Sequence, residues 1–358
     1  MSRSPFVVVV PALLAVLALG VAACGQGGTK PAAAARPCAR HGSAFARPCI
    51  PASASASPSA SATGSSQAPG GVPVFAYYYM WMQGSYWSTN KLNHPVRPFP
   101  GNYNSADPAV INWQIEQAKA AGITGFIVSW KDNATYRRIL PLVESAANRN
   151  NFKLAMEYET RQTYPSRTVT PAATTEADFR YFVANYASDP AWYRVNGKPL
   201  TMIDRSSLYT TSQLASITGP VRPALAVLQD VSTVAVYNKY APYTDGNAYY
   251  WSSENPATNP HAASDLAALG AAVYATHGTW IAPFAPGYNS TLIGGHVVVA
   301  RNNGAALRTE YAIAAASSPD ILGLISWNEW TENTYVEPSV SFGSTYVNVL
   351  NGMISSSG

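Results

Sequence analysis

The sequence predicts an α/β protein built as a (β/α)8 TIM barrel, preceded by a signal peptide and a disordered tether. From Val72 onward, short apolar or aromatic segments alternate with longer amphipathic segments, as expected for parallel strands joined by helices. Eight of the short segments have the composition of buried strands. The chain has 358 residues, of which 47% are hydrophobic and 12% charged, so it can bury one large core. Together these observations indicate a closed barrel.

The first half of the alternation is regular. The first strand, VPVFAYYYMW, precedes the helix DPAVINWQIEQAKAAG, in which Pro108 lies just inside the start and Gly122 marks the end. The next strands are ITGFIVSW, FKLAMEYE and KPLTMID, and they alternate with the helical segments TYRRILPLVESAANRN and TEADFRYFVANYA.

The second half is less regular. Its strand candidates are PALAVLQ, DGNAYYW, TWIAPF and ILGLISW, and its helical candidates are HAASDLAALGAAVYATHG and ALRTEYAIAAASS. Residues 221–250 are the least clear, since they show strand signals but no convincing helix between them. A doubly wound open sheet is the alternative fold. Its common nucleotide-binding version has a Gly-rich turn after the first strand, which this sequence lacks.

The first 70 residues differ from the rest of the chain. One Arg and an apolar run too short for a convincing membrane span lead to small residues and Cys24, so we expect an export signal over residues 1–23. The tetrapeptide VAAC resembles a bacterial lipobox. That resemblance implies an exported protein anchored to the cell membrane by lipid on Cys24, on the extracytoplasmic face. The alternative is an ordinary signal peptide cleaved near Ala23.

Residues 24–70 are rich in Ala, Ser, Pro and Gly and contain no acidic residue, so we expect a flexible tether before a catalytic domain at residues 71–358. Within the tether, Cys38 and Cys49 each end an ARPC motif. These two cysteines could form a disulfide in an exported protein, where disulfides persist. No cysteine remains in residues 71–358, which excludes cysteine nucleophiles and cysteine metal sites there.

Charge and motifs exclude further classes of function. Five of the 23 Lys and Arg residues precede Gly71, so residues 71–358 hold 18 basic and 19 acidic residues. This balance does not suit a nucleic-acid surface. The histidines lack zinc spacing, and no calcium-loop, P-loop or GxSxG pattern occurs. We therefore expect no metal, no cofactor and no nucleic-acid partner, and we expect a monomer.

The predicted active face lies at the carboxyl ends of the strands, where TIM barrels carry their sites. Aromatic rings and carboxylates gather there, and this combination suits a sugar, whose C–H faces stack on rings and whose hydroxyls bond to acids and amides. We predict an oligosaccharide or polysaccharide partner. The expected substrate-binding residues are Tyr78, Trp81, Trp130, Glu157, Glu159, Asp204, Trp251, Tyr288, Asn328 and Trp330.

Glu329 and Glu332 are the candidate catalytic residues. They lie three residues apart after the apolar run ILGL and are flanked by Trp327 and Trp330. An apolar wall raises a carboxyl pKa, so one acid can stay protonated while its neighbour ionises. The alternative is a solvated pair of acids near a helix N-terminus.

Two other groups of residues have structural alternatives. Some rings of YYYMW could belong to the barrel core, because alternate residues of a barrel strand face inward. Glu157 and Glu159 share one face of a buried strand, where an acid is costly without a role or a partner. Arg161 or Arg205 could be that partner in a structural ion pair.

Several segments resemble glycoside hydrolase family 99, the endo-α-mannosidase group. The family ends its barrel with a block close to NEWHEGTQIEP, and residues 328–338 here are NEWTENTYVEP. Further resemblance, in the family's order and over about 280 residues, is carried by YYYMW, GNYNSADPAVINWQIEQAKAAGITGFIVSW, MEYE, NGKPLTMID and APGYNSTLI.

The resemblance implies an enzyme that cleaves internal α-glycosidic bonds, α-mannosidic ones above all, with retention of configuration. It implies that Glu329 is the base acting on the sugar 2-hydroxyl and that Glu332 is the acid that protonates the departing oxygen. The reaction would pass through a 1,2-anhydro sugar, and Glu159 would be a third carboxylate in the substrate site. A surface carbohydrate-binding protein without turnover is the alternative.

The sequence departs from the family pattern beside these acids. The family's SWWG is SWKD here, so Lys131 replaces an aromatic residue. HIEPY has become EYETR, with Glu157 in place of His, and HEG has become TEN. The acids are kept while neighbouring contacts change, which leaves the mannose preference open.

Overall fold

The computed structural model describes residues 71–83, 86–87, 103–161 and 168–356. The predicted signal peptide, the tether, Cys24, Cys38 and Cys49 lie outside the described residues. None of the helices in the described ranges is both long and apolar enough to cross a membrane.

The described residues form a closed barrel of eight parallel strands, which confirms the predicted fold. The barrel strands are β1 (Val74–Tyr78), β2 (Gly125–Trp130), β3 (Lys153–Tyr158), β5 (Lys198–Ile203), β6 (Ala226–Gln229), β7 (Gly246–Ala248), β8 (Thr279–Phe284) and β11 (Ile321–Leu324). Each strand pairs with the next one around the ring, with β3 directly beside β5 and β11 beside β1. The short strand β4 (Arg194–Val195) pairs with β5 in antiparallel orientation. A doubly wound open sheet would leave two free edges, so that alternative is wrong.

Helices cover the outside of the barrel. They are α1 (Pro108–Ala120), α2 (Ala134–Arg149), α3 (Ala172–Asn185), α4 (Thr211–Thr218), α5 (Val234–Tyr240), α6 (Ala262–Ala275), α7 (Ala305–Ala316) and α8 (Thr345–Ser356). A small antiparallel pair, β9 (Tyr288–Asn289) with β10 (Val298–Val299), follows β8.

The structure has a helix, α5, between residues 221 and 250, where the sequence showed no convincing one. Its seven residues, VAVYNKY, are too few to show a helical period, and Val and Tyr favour strands. The helix begins because the side chain of Thr233 accepts a hydrogen bond from the backbone N–H of Val236 at 3.3 Å.

The core has two layers, separated by the wall of the barrel. Alternate side chains of each strand point inward or outward, so on β1 Tyr77 packs inside the barrel while Tyr78 packs between the barrel and the helices. The inner layer ends at the carboxyl ends of the strands. Residues that follow those strand ends therefore surround the mouth of the barrel.

Candidate active site

The segment that follows β11 carries both candidate catalytic glutamates, and its backbone is held at several points. The hydroxyl of Ser326 accepts from the N–H of Glu329 at 2.8 Å, and the N–H of Ser326 donates to the carbonyl of Thr334 at 3.0 Å. The carbonyl of Glu332 accepts from the N–H of Asn289 at 2.8 Å. We call residues 326–337 the acid loop.

A buried arginine fixes the acid loop from behind. Nη2 of Arg301, which is 7% exposed, donates to the carbonyls of Asn333 at 2.8 Å and Tyr335 at 2.7 Å. Its guanidinium lies 4.9, 4.7 and 4.5 Å from the ring centroids of Tyr335, Phe342 and Tyr346. Cation–π contacts and charge-assisted hydrogen bonds thus hold this cation, and with it the loop that carries the glutamates.

The two glutamates differ in their contacts. The carboxyl of Glu329, in a residue only 4% exposed, accepts from the N–H of Thr331 at 3.1 Å and from the hydroxyl of the same residue. Glu332 is half-buried, and no group of the described residues hydrogen-bonds its carboxyl. The pair is therefore not the solvated pair of the alternative interpretation.

Burial raises the pKa of both carboxyls. The pKa of Glu329 rises to about 8, with the charge of Glu332 as the second cause. The pKa of Glu332 rises to about 7, and nearby Arg205 opposes that rise. The pair can thus hold one proton near neutral pH, as acid–base catalysis needs. The proton belongs to the pair, because the two carboxyls titrate together.

A second group of acids lies at the ends of β3, β5 and β6. The hydroxyl of Ser129 donates to Glu159 Oε1 at 2.6 Å, and Nε of Arg205 lies 3.4 Å from Asp204 Oδ1. Glu157, which is 4% exposed, receives no hydrogen bond from the described residues. Burial, together with the charges of Glu159 and Asp204, raises the pKa of Glu157 well above its usual range. Burial thus favours the neutral form of Glu157, and its carboxyl has hydrogen-bonding capacity open to a ligand.

The structural ion pair considered for Glu157 and Glu159 is absent from the described part of the chain. Arg205 forms its ion pair with Asp204, its neighbour in sequence. Arg161 forms no ion pair with a described acid, and its Nε is buried without a hydrogen-bond partner.

Asp230 is a site residue that the sequence analysis missed. It follows β6 directly, and its carboxyl accepts from the N–H groups of Arg205 at 2.9 Å and Tyr250 at 3.0 Å. Burial raises its pKa to about 7, and the charge of Asp204 adds to the rise. The signal was available, because Asp230 is the first residue after a predicted strand and so belongs at the mouth.

Aromatic side chains line another part of the mouth. Trp81 is half-buried and stacks on Tyr79 with ring centroids 4.4 Å apart. The hydroxyls of Tyr79 and Tyr250 lie 2.9 Å apart. Tyr288 precedes Asn289, whose N–H donates to the carbonyl of Glu332, and burial and the charges of Glu332 and Glu329 raise the pKa of Tyr288. Trp81 and Tyr288 are thus placed where the sequence predicted sugar contacts.

Tyr78 and Trp130 are corrections to the predicted substrate-binding set. The hydroxyl of Tyr78 donates to Gln114 Oε1 at 2.7 Å, on the helix side of the barrel wall. Trp130 is fully buried and packs against Phe182 with centroids 5.6 Å apart. The physical reason is strand alternation: Tyr77 and Ser129 point inward, so the next residues point outward.

Asn328 and Trp330 lie beside the mouth, where they support the acid loop. The side-chain amide of Asn328, fully buried, accepts from the N–H of Tyr79 at 2.8 Å and donates to its carbonyl at 3.0 Å. Trp330 is also buried, stacked on Tyr335 with centroids 3.9 Å apart. These two side chains join the acid loop to the end of β1 and to its own later residues, which leaves them little surface for a sugar.

Two further residues take unexpected places. Trp251 stacks on Tyr249 with centroids 5.3 Å apart and lines a cavity separate from the acids of the mouth. Nζ of Lys131 donates to the carbonyl of Arg161 and lies 3.5 Å from the hydroxyl of Thr170. Lys131 thus ties the end of β2 to the segment after β3, which gives its departure from the aromatic residue a structural role.

Comparison with known proteins shows which family and which relatives this chain resembles. Residues 80–351 match the model of glycosyl hydrolase family 99. The glycoprotein endo-alpha-1,2-mannosidase of Rattus norvegicus is 22% identical over 282 residues, 72% of this chain and 60% of that protein. The endo-alpha-1,2-mannosidase-like protein of Danio rerio is 25% identical over 275 residues, 68% of this chain and 59% of that protein. This chain therefore spans about three fifths of the length of these relatives.

Among solved structures, the GH99 endo-alpha-mannosidase of Bacteroides thetaiotaomicron matches with a TM-score of 0.67. It is 21% identical, and the match covers 79% of this chain and 97% of that one. At this identity the likeness shows that the two chains share a fold.

Proposed function

Because the chain belongs to glycosyl hydrolase family 99, we propose that it is a glycoside hydrolase that cleaves internal α-mannosidic bonds of an oligosaccharide or polysaccharide. One observation carries the proposal. Two carboxyls with raised pKa lie on a firmly held loop at the mouth of the barrel, and one of them has no hydrogen-bond partner among the described residues. Acids poised near neutral pH with free hydrogen-bonding capacity suit proton transfer to and from a sugar.

In the proposed reaction, Glu332 donates its proton to the glycosidic oxygen as that bond breaks. Glu329 takes the proton of the sugar 2-hydroxyl, whose oxygen attacks the anomeric carbon and forms a 1,2-anhydro sugar. Water then opens this ring at the anomeric carbon and gives its proton to Glu332, while Glu329 returns its proton to the 2-oxygen. Two inversions at one carbon give retention, without the carboxylate nucleophile of most retaining glycosidases.

The other mouth residues bind the sugar in this proposal. Trp81 offers a ring face to the sugar. Glu159, oriented by the hydroxyl of Ser129, accepts a hydrogen bond from a sugar hydroxyl. Glu157, as a neutral acid, donates a hydrogen bond to a sugar oxygen. Because it stands where family members have His, Glu157 is a candidate for the residue that sets which sugar is accepted.

We also propose that the protein is exported and anchored by lipid on Cys24, on the strength of the apolar run and the VAAC motif. Acyl chains contribute about 0.8 kcal/mol per buried CH₂ to membrane binding. Cys24→Ser should therefore move the protein from the membrane fraction to the soluble fraction. An unchanged distribution would remove the lipid anchor from the proposal.

The activity is tested by incubating the purified protein with α-mannans and α-glucans and measuring new reducing ends. The control is the double variant with Glu329→Gln and Glu332→Gln. We expect reducing ends from α-mannan with the natural protein and none with the control. Release from α-glucan alone would overturn the mannose assignment. Binding to a polymer without any release would overturn the enzymatic function in favour of a carbohydrate-binding protein.

A further inference from the structure

A second cavity lies at the outer rim of the barrel mouth, between α5, α6 and the residues after β7. Its volume is about 230 Å³. None of the mouth carboxyls lines it. Its wall combines two aromatic side chains, two aliphatic hydroxyls, one carboxylate and apolar side chains, and includes Ser232, Thr233, Tyr249, Trp251, Asp265 and Leu269. We call it the rim cavity.

The aromatic part of the rim cavity is a stacked pair. The rings of Tyr249 and Trp251 lie with centroids 5.3 Å apart and planes 27° apart, and both residues are half-buried. Tyr250, between them in sequence, faces the other way and places its hydroxyl 2.9 Å from that of Tyr79 in the mouth. Successive residues of this segment, whose Cα atoms are about 4 Å apart, therefore face two different spaces, the mouth and the rim cavity.

The polar part of the rim cavity keeps free hydrogen-bonding capacity. Ser232, Thr233 and Asp265 are all exposed. Asp265 lies in the first turn of α6, and its carboxylate receives no hydrogen bond from the described residues. The hydroxyl of Thr233 accepts from the N–H of Val236 and still has a proton to donate. These groups offer both acceptors and donors around the ring pair.

We propose that the rim cavity binds one sugar unit of the polysaccharide chain that the mouth cleaves; this inference rests on the proposed function. A pyranose has an apolar C–H face, which stacks on an indole, and a girdle of hydroxyls, which bond to carboxylates and hydroxyls. The cavity has roughly the volume of eight water molecules, which is the scale of one hexose. The carboxylate of Asp265 disfavours an anionic ligand, so the unit is a neutral sugar.

The position of the rim cavity explains how sugar binding there would assist cleavage of a polymer. It opens on the same face of the barrel as the glutamate pair, since both follow the carboxyl ends of strands. A chain held at the rim stays at a high effective concentration beside the mouth, so rebinding after each cut becomes faster. The rim cavity should thus matter for polymers and little for substrates of one sugar unit.

The test measures binding without turnover. The full chain with Glu332→Gln, which should not cut polymer, is run in native gels containing soluble α-mannan or, separately, soluble α-glucan. Adding Trp251→Ala should weaken retention by the bound polymer about fivefold to tenfold, through loss of the stacking face. Adding Trp251→Phe keeps an aromatic ring and should leave retention within about twofold. Asp265→Arg, on the exposed side of α6, should fill the cavity and weaken retention as Trp251→Ala does.

Retention equal to that of the Glu332→Gln parent in both Trp251→Ala and Asp265→Arg would overturn the rim site. So would a parent that neither polymer retards. If Trp251→Ala fails to fold, Asp265→Arg alone decides the outcome, because its side chain replaces no buried contact. The two failures are distinguishable. A natural protein that releases no reducing ends contradicts the enzyme, whereas the gel comparison, which needs no turnover, tests the rim cavity.

Discussion

Buried carboxyls occur both at the barrel mouth and in the layer between the barrel and its helices, and in both places burial raises their pKa. The pKa of Glu144 and that of Glu337 rise to about 8, the same value as for Glu329. Away from the mouth, the indole N–H of Trp192 donates to Glu144 at 2.9 Å. Glu337, the last residue of the acid loop, accepts from Gln114 of α1 at 2.7 Å and from Tyr103 at 2.9 Å. Glu310 of α7 accepts from the N–H of Ala285 at 2.7 Å, and its other carboxyl oxygen has no partner.

The mouth differs in its hydrogen bonding. Glu157 and Glu332 receive no hydrogen bond from the described residues, and Glu329 receives its bonds from Thr331, two residues away. A buried polar group without a partner is costly, so it persists where a ligand supplies the partner. A raised pKa therefore reports burial. What distinguishes Glu157 and Glu332 from Glu144, Glu310 and Glu337 is that no described residue hydrogen-bonds their carboxyls at all.

The largest expected effect is on turnover at Glu329. Glu329→Gln should lower kcat/KM by about 10²-fold or more on every substrate, because removal of the 2-hydroxyl proton is needed whichever group departs. Glu144→Gln is the matched control: the same change, at an acid with the same raised pKa, in the outer layer. It should leave kcat/KM within about twofold. Equal losses in the two variants would mean that the contrast between the regions has no bearing on catalysis.

The next effect is on stability, and it should be larger at Glu144 in the outer layer than at Glu157 in the mouth. Glu144→Ala should lower the free energy of unfolding by about 1–3 kcal/mol, because it leaves the indole N–H of Trp192 buried and unpaired. Glu157→Ala removes no hydrogen bond made within the described residues, so it should cost less. Urea denaturation of both variants measures the two losses in the free energy of unfolding. A larger loss in Glu157→Ala than in Glu144→Ala would contradict the prediction.

A smaller effect concerns substrate affinity at Glu157. Glu157→Ala should raise KM by up to about tenfold with kcat little changed, since a net hydrogen bond contributes about 0.5–1.5 kcal/mol. Glu157→Gln keeps a donor and should restore most of the affinity. Steady-state kinetics on an α-mannan oligosaccharide measures both. If Gln is no better than Ala, Glu157 does not bind the sugar as a neutral acid.

The last effect is a change in the pH dependence of stability at Glu337. Its pKa is raised from 4.5 to about 8, so its contribution to stability is fully present below pH 4.5 and is lost as pH rises through 8. Glu337→Gln removes this titration. The Tm of the variant should therefore fall less than that of the natural protein between about pH 6 and 9. Parallel Tm curves would show that Glu337 does not titrate in this range.

The fold could be predicted from the sequence because its signal is repeated eight times. Alternation of apolar and amphipathic segments is local, and each unit supports the same conclusion. Helix α5 was not predicted, because its seven residues, rich in Val and Tyr, show no helical period. The position of the two glutamates at the mouth could be predicted because a single segment after one strand carries both.

The remaining site residues depend on information that the sequence does not carry locally. Tyr77 and Tyr78 are adjacent tyrosines of one strand, and only the register of the barrel decides which faces inward. Arg301 holds the acid loop from a segment that follows β10, and its spacing from Glu332 shows no pattern. Such contacts arise from tertiary packing, so motif reading could not find them.

The most direct test of the acid pair compares two substrates with Glu332→Gln. An aryl α-mannoside with a good leaving group needs little protonation of the departing oxygen, whereas a natural sugar–sugar bond needs a general acid. We predict that Glu332→Gln loses about 10²-fold or more in kcat on the natural bond and clearly less on the aryl substrate. Equal losses on the two substrates would contradict the role of Glu332 as the acid, and near-natural turnover on the sugar–sugar bond would remove it from catalysis.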